Sequence, residues 1–169
     1  MPNCFVTTHW PHPIKDDIPW DVYLKTADKA RAAEIKPGDQ VLFFVVEKID
    51  NKTRKSVRKL TGNGKETTKD DALLTLGGAT RFVATVCAKH EIPSPLGDDY
   101  PRYVYTGEEL KNDHDWGVRI VCTKHRRTRN CTLAELKQKL KLTGNPHTWH
   151  GLIKVPEGAF QKLIEEIAH

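Results

Sequence analysis

The sequence predicts a small α+β domain in which a curved or closed β-sheet carries helices on its outside. Three observations point to that class. Val41 to Val46 is apolar at every position, the pattern of a strand covered on both faces. Ala79 to Ala88 instead alternates, with Phe82, Ala84 and Val86 on one parity, as a strand does when its two faces meet different surroundings. Near the C-terminus, Thr132 with Glu135 matches a capping box ahead of Leu133, Leu136 and Leu140, and Pro156 precedes a stripe of Phe160, Leu163, Ile164 and Ile167. Both are helix signatures.

Taken in order, Cys4 to Thr8 reads as a short first strand, ended by the HWPHP segment because proline cannot donate to a sheet ladder. The alanines between Val22 and Ala33 suit a short amphipathic helix packed through small residues, and that helix stops before Pro37. Lys36-Pro37-Gly38-Asp39 has proline and glycine where a type II turn wants them, and the strand Val41 to Val46 follows. Residues 51–78 are polar, charged and punctuated by glycine, as in an insertion loop or hairpin. After Ala79 to Ala88 come a proline-rich turn at Ile92 to Gly97 and an aromatic edge segment at Tyr100 to Thr106. An alternating strand at Gly117 to Thr123 leads to the capped helix, which closes near Gly144. His147 to Val155 reads as a last strand before the final helix. Five or six strands and about three helices are expected.

The chain of 169 residues suits one compact domain spanning 1–169 that buries its own core. No run approaches the roughly 18 apolar residues of a membrane span, and no basic stretch followed by an apolar segment opens the chain, so a cytoplasmic protein is expected. Cys4, Cys87, Cys122 and Cys131 never form a C-x-x-C pair, which argues for reduced, buried thiols rather than a zinc or redox motif. His147 and His150 are the one close histidine pair, and nothing points to further ligands beside them. No metal and no cofactor are expected.

A net charge of +5 suits a polyanionic partner. The basic residues gather in two places: Lys52, Arg54, Lys55, Arg58 and Lys59, and then Lys124, His125, Arg126, Arg127 and Arg129. Each cluster follows a strand-like segment, so both read as rim loops lying along a phosphate backbone. A solvated loop would look the same, but two clusters in equivalent positions favour nucleic acid.

Four segments together resemble the EVE family of the PUA-like superfamily, whose relatives include the YTH and ASCH domains. They are Trp20-Asp21-Val22, the run Lys36 to Phe44, the strand Thr80 to Val86, and Leu152 to Pro156 with its helix. The resemblance implies a mixed β-barrel flanked by helices, with an aromatic pocket that accepts a modified base. It also implies a specificity module such as those of restriction systems that recognise methylated DNA. The EVE pattern continues after Trp-Asp with glycine and an Arg-Asn-Tyr-type segment, whereas Val22, Tyr23 and Leu24 follow here.

A protein that inspects one base must take it out of the duplex and recover the unstacking cost in a pocket. Stacking on an aromatic face returns about 1–3 kcal/mol per base. The candidate faces are Trp20 and Trp10, with Trp149 and Trp116 behind them and His9 and Tyr23 alongside, although a tryptophan in such a domain is more often core or half-buried support than a ligand contact. Asp21 could accept from an exocyclic amine, as acidic side chains do at cytosine N4, or cap a helix. The expected partner is double-stranded DNA carrying 5-methyl- or 5-hydroxymethylcytosine, with any cleavage in a fused or associated nuclease. An RNA-binding module of the ASCH or YTH type is the alternative. A metal-dependent nuclease built on Asp98, Asp99, Asp113, His114 and Asp115 is a third reading, set against the turn-like, hydrophilic surroundings of those residues.

Overall fold

The Val41–Phe44 run becomes the centre of the sheet. In the computed structural model, which describes residues 2–9, 21–46, 78–91 and 116–169, strand β3 (Gln40–Val45) is buried along its apolar length. Its two parities enter two cores. Val41, Phe43 and Val45 face one cluster with Phe5, Phe82, Ala84, Val86 and Ile120. Leu42 and Phe44 face the other, with Leu136, Leu140, Trp149, Phe160 and Ile167. The first is the barrel interior and the second is the layer between barrel and helices, so the unbroken apolar run has the cause that its pattern predicted.

Around β3 lie β1 (Cys4–His9), β2 (Val22–Lys25), β4 (Ala79–Glu91), β5 (Trp116–Arg127) and β6 (Leu152–Val155). The described strands form one sheet in the order β2-β5-β4-β3-β1-β6. β1 runs parallel to β3, and the other neighbours are antiparallel, which makes a nearly closed six-stranded mixed barrel. Its seam lies between β2 and β6, and the 3-10 helix Thr26–Glu34 covers it. There Arg31 Nη1 donates to Leu152 O at 3.3 Å, and Lys154 Nζ meets Glu34 at 3.2 Å. Lys89 Nζ donates to Ala32 O and Ile35 O at the C-terminal end of that helix, where a cation complements the helix dipole. Gly117 permits the fit, because a Cβ there would stand 2.8 Å from Thr26 Cα.

The turn before β3 is fastened by Asp39, a carboxylate only 5% exposed. Its Oδ1 accepts from Asn3 N and its Oδ2 from Lys36 N, each at 2.9 Å. Gly38, at φ +95°, adopts a conformation that a side chain would strain. Helices α1 (Leu133–Leu140) and α2 (Glu157–Ile167) pack on the outer face. The buried residues of α2 are the predicted Phe160, Leu163, Ile164 and Ile167. Thr132 caps α1 by accepting from Glu135 N, but the Glu135 carboxylate takes the Arg129 guanidinium at 2.6 and 3.2 Å. Beyond α2, His169 N donates to Arg127 O and Arg129 N to Ile167 O, which ties the helix to the end of β5.

Several expected boundaries shift. Val22–Lys25 is a strand and not the start of a helix, because Val22 and Leu24 enter the barrel at period two; only Thr26–Glu34 is helical. The expected strand from His147 is instead a 3-10 turn, Pro146–Trp149, then His150 and Gly151 at φ +51° and +82°, which confine the strand to Leu152–Val155. Strand β5 continues to Arg127, so Lys124 to Arg127 belong to the sheet and not to a rim loop. The helix ends at Leu140, with Lys141 in a left-handed cap. The insertion expected at 51–78, apart from Gly78, and the segments Ile92 to Gly97 and Tyr100 to Thr106 lie outside the described residues.

Candidate nucleic-acid interface

One end of the barrel is formed by the end of β1, the end of β3, the start of β4 and the end of β5. The chain leaves the sheet at this end after His9 and Val46 and rejoins it here at Gly78, while Asp21 and Val22 lie beside Cys122 and Ile120, further back along β5. Cross-strand partners share a face of a sheet, so the register defines what looks into this mouth. Leu152, Thr7, Phe43, Phe82 and Arg127 form one row across five strands. The next row outward pairs His9, Val45 and Ala79.

How Arg127 comes to face inward is decided by a bulge. Thr85 pairs with Thr123 and Val83 with Arg126, so Lys124 and His125 together oppose Ala84. Lys124 takes φ +53°, the left-handed first position of a bulge that glycine usually fills. In regular pairing His125 would turn to the outer face. Instead its ring lies 6.2 Å from the Phe43 ring and 6.4 Å from the Phe82 ring, the latter edge-on at 85°. The bulge thus packs the His125 ring against Phe43 and Phe82, which are themselves buried in the barrel core, and sets two nitrogen-bearing side chains, His125 and Arg127, at the mouth. Lys124 and Arg126 are exposed beside them.

The other predicted residues divide sharply. Asp21 sits just before β2, yet both of its oxygens are occupied: Oδ2 takes Arg119 Nε at 2.9 Å and Nη2 at 2.8 Å, and Oδ1 takes Cys122 N at 2.9 Å. This is a forked, charge-assisted clamp between β2 and β5, and its carboxylate is not open to an exocyclic amine. Nor does Asp21 cap the helix, whose N-cap is Lys25. Trp149 is 2% exposed in the helix-side core, and its indole Nε1 donates to Thr143 O at 3.0 Å. Its faces are spent on packing, away from the mouth. Arg129 is held by Glu135, and this hydrogen bond lowers the Glu135 carboxyl below its ordinary range.

His9 stands at the mouth by backbone register, Tyr23 pairs with Arg119, and Trp116 opens β5 opposite Lys25. Trp10, Trp20, Lys52, Arg54, Lys55, Arg58 and Lys59 lie outside the described residues, as do Asp98, Asp99, Asp113, His114 and Asp115. Phe43 and Phe82 are the members of the mouth that sequence reading assigned only to the scaffold. Their parity with Val41 and Ala84 was legible, but that they carry the His125 ring depends on the bulge.

Cys4, Cys122 and Cys131 are buried and Cys87 is exposed, all as free thiols. Burial pushes the Cys4 thiol up to about 11 and, with the Asp21 carboxylate adding to it, that of Cys122 up to about 12. Burial, seconded by Glu135, likewise carries Cys131 to about 12. Among the described residues no group of three or more His, Cys, Asp or Glu is arranged to hold a metal, and no helix is long and apolar enough to cross a membrane.

A mixed six-stranded barrel with a helix across its seam and two on its flank is a PUA-like architecture, the class that the KPGD resemblance implied. Comparison with solved structures agrees with that fold. The chain is similar to the ASCH protein of Zymomonas mobilis, whose serine-to-alanine variant superposes with a TM-score of 0.60 at 13% identity, covering 99% of each chain. The unsubstituted ASCH structure gives 0.54 at 12% identity over 98% of this chain and 96% of that one, and a tyrosine-to-phenylalanine variant gives 0.53 at 13% over 98% and 99%. No protein-family model and no curated protein sequence matches the chain. At 12–13% identity the structural likeness is one of fold.

Proposed function

We propose that this chain is a nucleic-acid-binding module that takes one unstacked base into the barrel mouth, as an EVE-type reader of modified DNA would. The observation that supports it most is the His125 ring set over Phe43 and Phe82, with Arg127 in the same row. The half-buried His125 ring, backed by Phe43 and Phe82, suits the flat face of a base, and donors at its rim suit the base edge and the adjoining phosphate. Lys124 and Arg126 extend the positive charge outward, where contacts to phosphate position a strand without reading it. Base discrimination thereby passes from Asp21, which is engaged in its clamp, to His125 and Arg127. Trp20, one residue ahead of Asp21, is retained as the stacking partner.

The preferred ligand in this reading is duplex DNA with 5-methyl- or 5-hydroxymethylcytosine. The chain acts as a specificity module of a modification-dependent restriction system, with cleavage in a fused or associated nuclease. Fluorescence anisotropy with matched duplexes, modified and unmodified, and with single-stranded RNA of the same sequence tests it. The expected result is a preference of about tenfold or more for the modified duplex, the discrimination a fitted apolar niche gives for one carbon. Equal affinity for both duplexes would overturn modified-base reading. Tighter binding to the RNA would make the chain a single-strand RNA module, which the likeness to ASCH structures favours as the second reading.

A further inference from the structure

Among the described residues, three non-glycine residues have left-handed backbone: Lys124, Lys141 and His150. Lys141 and His150 are the C-caps of α1 and of the 3-10 turn Pro146–Trp149, where that conformation closes a helix. Lys124 has no such reason, because it stands inside β5 at φ +53°. Glycine would occupy a left-handed bulge position without the Cβ clash that an L side chain suffers. The Lys124 side chain is exposed, and its ammonium has no hydrogen-bond or ion-pair partner among the described residues. The bulge is used to pack His125 on Phe43 and Phe82, but no packing or internal contact of the Lys124 side chain accounts for a lysine in place of glycine there.

We propose that Lys124 is a positioning residue of the mouth: the protein keeps a lysine in a glycine conformation because its ammonium contacts the phosphate next to the base held by His125 and Arg127. This rests on the nucleic-acid reading above. The bulge separates two functions along four residues. It turns His125 and Arg127 to the inner face, where a base is read, and it leaves Lys124 exposed at the first bulge position opposite Ala84, where its ammonium is open to the backbone of the same nucleotide. Strain held at an exposed position without a structural partner is the form that ligand-dependent strain takes.

The experiment measures thermal unfolding and oligonucleotide affinity for K124G, K124N and K124R, using the duplex carrying 5-methylcytosine and its unmodified match between 50 and 200 mM salt. K124G and K124N are expected to raise the unfolding midpoint, K124G by about 2–4 °C, since glycine relieves the left-handed strain and asparagine tolerates it. Both are expected to weaken binding to both duplexes by about tenfold at low salt and to reduce the slope of log K against log salt by about 0.9, one phosphate contact. K124R should retain the affinity and the slope. If wild-type protein binds and K124G binds equally with an unchanged slope, the role of Lys124 is overturned while the module reading stands. An unchanged midpoint in K124G would overturn the strain. If wild-type protein binds neither duplex nor the RNA, the module reading itself falls and this proposal with it.

Discussion

Replacing Asp39 by alanine tests whether the KPGD turn holds the barrel together as its geometry indicates. The Asp39 carboxylate is 5% exposed and satisfies two backbone donors, Asn3 N and Lys36 N, both at 2.9 Å. One of those donors precedes β1 and the other precedes the turn, so a single side chain fixes the start of two paired strands. The peptide groups around it are committed as well: Gly38 N donates to Val86 O at 2.9 Å and Val86 N to Asp39 O at 2.8 Å. Alanine leaves two N–H groups without acceptors, each costing about 1–3 kcal/mol when shielded from water. Both sites are only partly buried, so solvent recovers some of this, and D39A is expected to lose about 2–4 kcal/mol in urea unfolding. D39N, which keeps the shape and one acceptor oxygen, should lose about half as much. A D39A protein within about 0.5 kcal/mol of wild type, the range of ordinary surface changes, would refute the argument that Asp39 is the fastening of this turn.

Trp149 separates core from site: W149F should cost about 1–2 kcal/mol by orphaning Thr143 O, and leave oligonucleotide affinity unchanged. An affinity loss in W149F would return Trp149 to the mouth. The thiols predict reactivity and pH dependence together. One thiol, Cys87, should react quickly with a disulfide reagent at pH 8, and Cys4, Cys122 and Cys131 only on unfolding. Because burial raises those three toward 11–12 in the folded state, the unfolded chain releases their protons first. Stability should therefore hold below about pH 8.5, the unfolded thiol value, and fall as pH rises toward 11; a flat profile across that window would contradict the burial. W20A should erase the preference for modified over unmodified duplex, and R126A should weaken both alike with a shallower salt dependence. Selectivity surviving in W20A would remove Trp20 from the pocket.

The fold was legible wherever one residue had one reason. The apolar run at β3 could only be a strand covered twice, and the α2 stripe could only be a helix face. Asp39 beside Gly38 marked a tight turn before a strand. What sequence could not show was parity after a bulge. Lys124 is not a glycine, so nothing in the string warned that β5 changes its facing there, and the basic residues after Thr123 looked like a loop because charge is also what a strand end carries at a rim. Asp21 misled for a related reason: an acid next to an aromatic suggests a ligand contact, while its partners, Arg119 and Cys122, lie about a hundred residues away in sequence. Trp149 was similarly ambiguous, since only its distance from the barrel end distinguishes a packed indole from a stacking one.

In the proposed module the ligand enters the barrel at the end where β5 bulges. The decisive experiment is chemical-shift mapping of the isotope-labelled chain during titration with a duplex containing one 5-methylcytosine. The largest amide and imidazole shifts are expected at Phe82, Lys124, His125 and Arg127, with α1 and α2 unmoved. Shifts concentrated on α1 and α2, or at the Thr26–Glu34 seam, would contradict entry at that end.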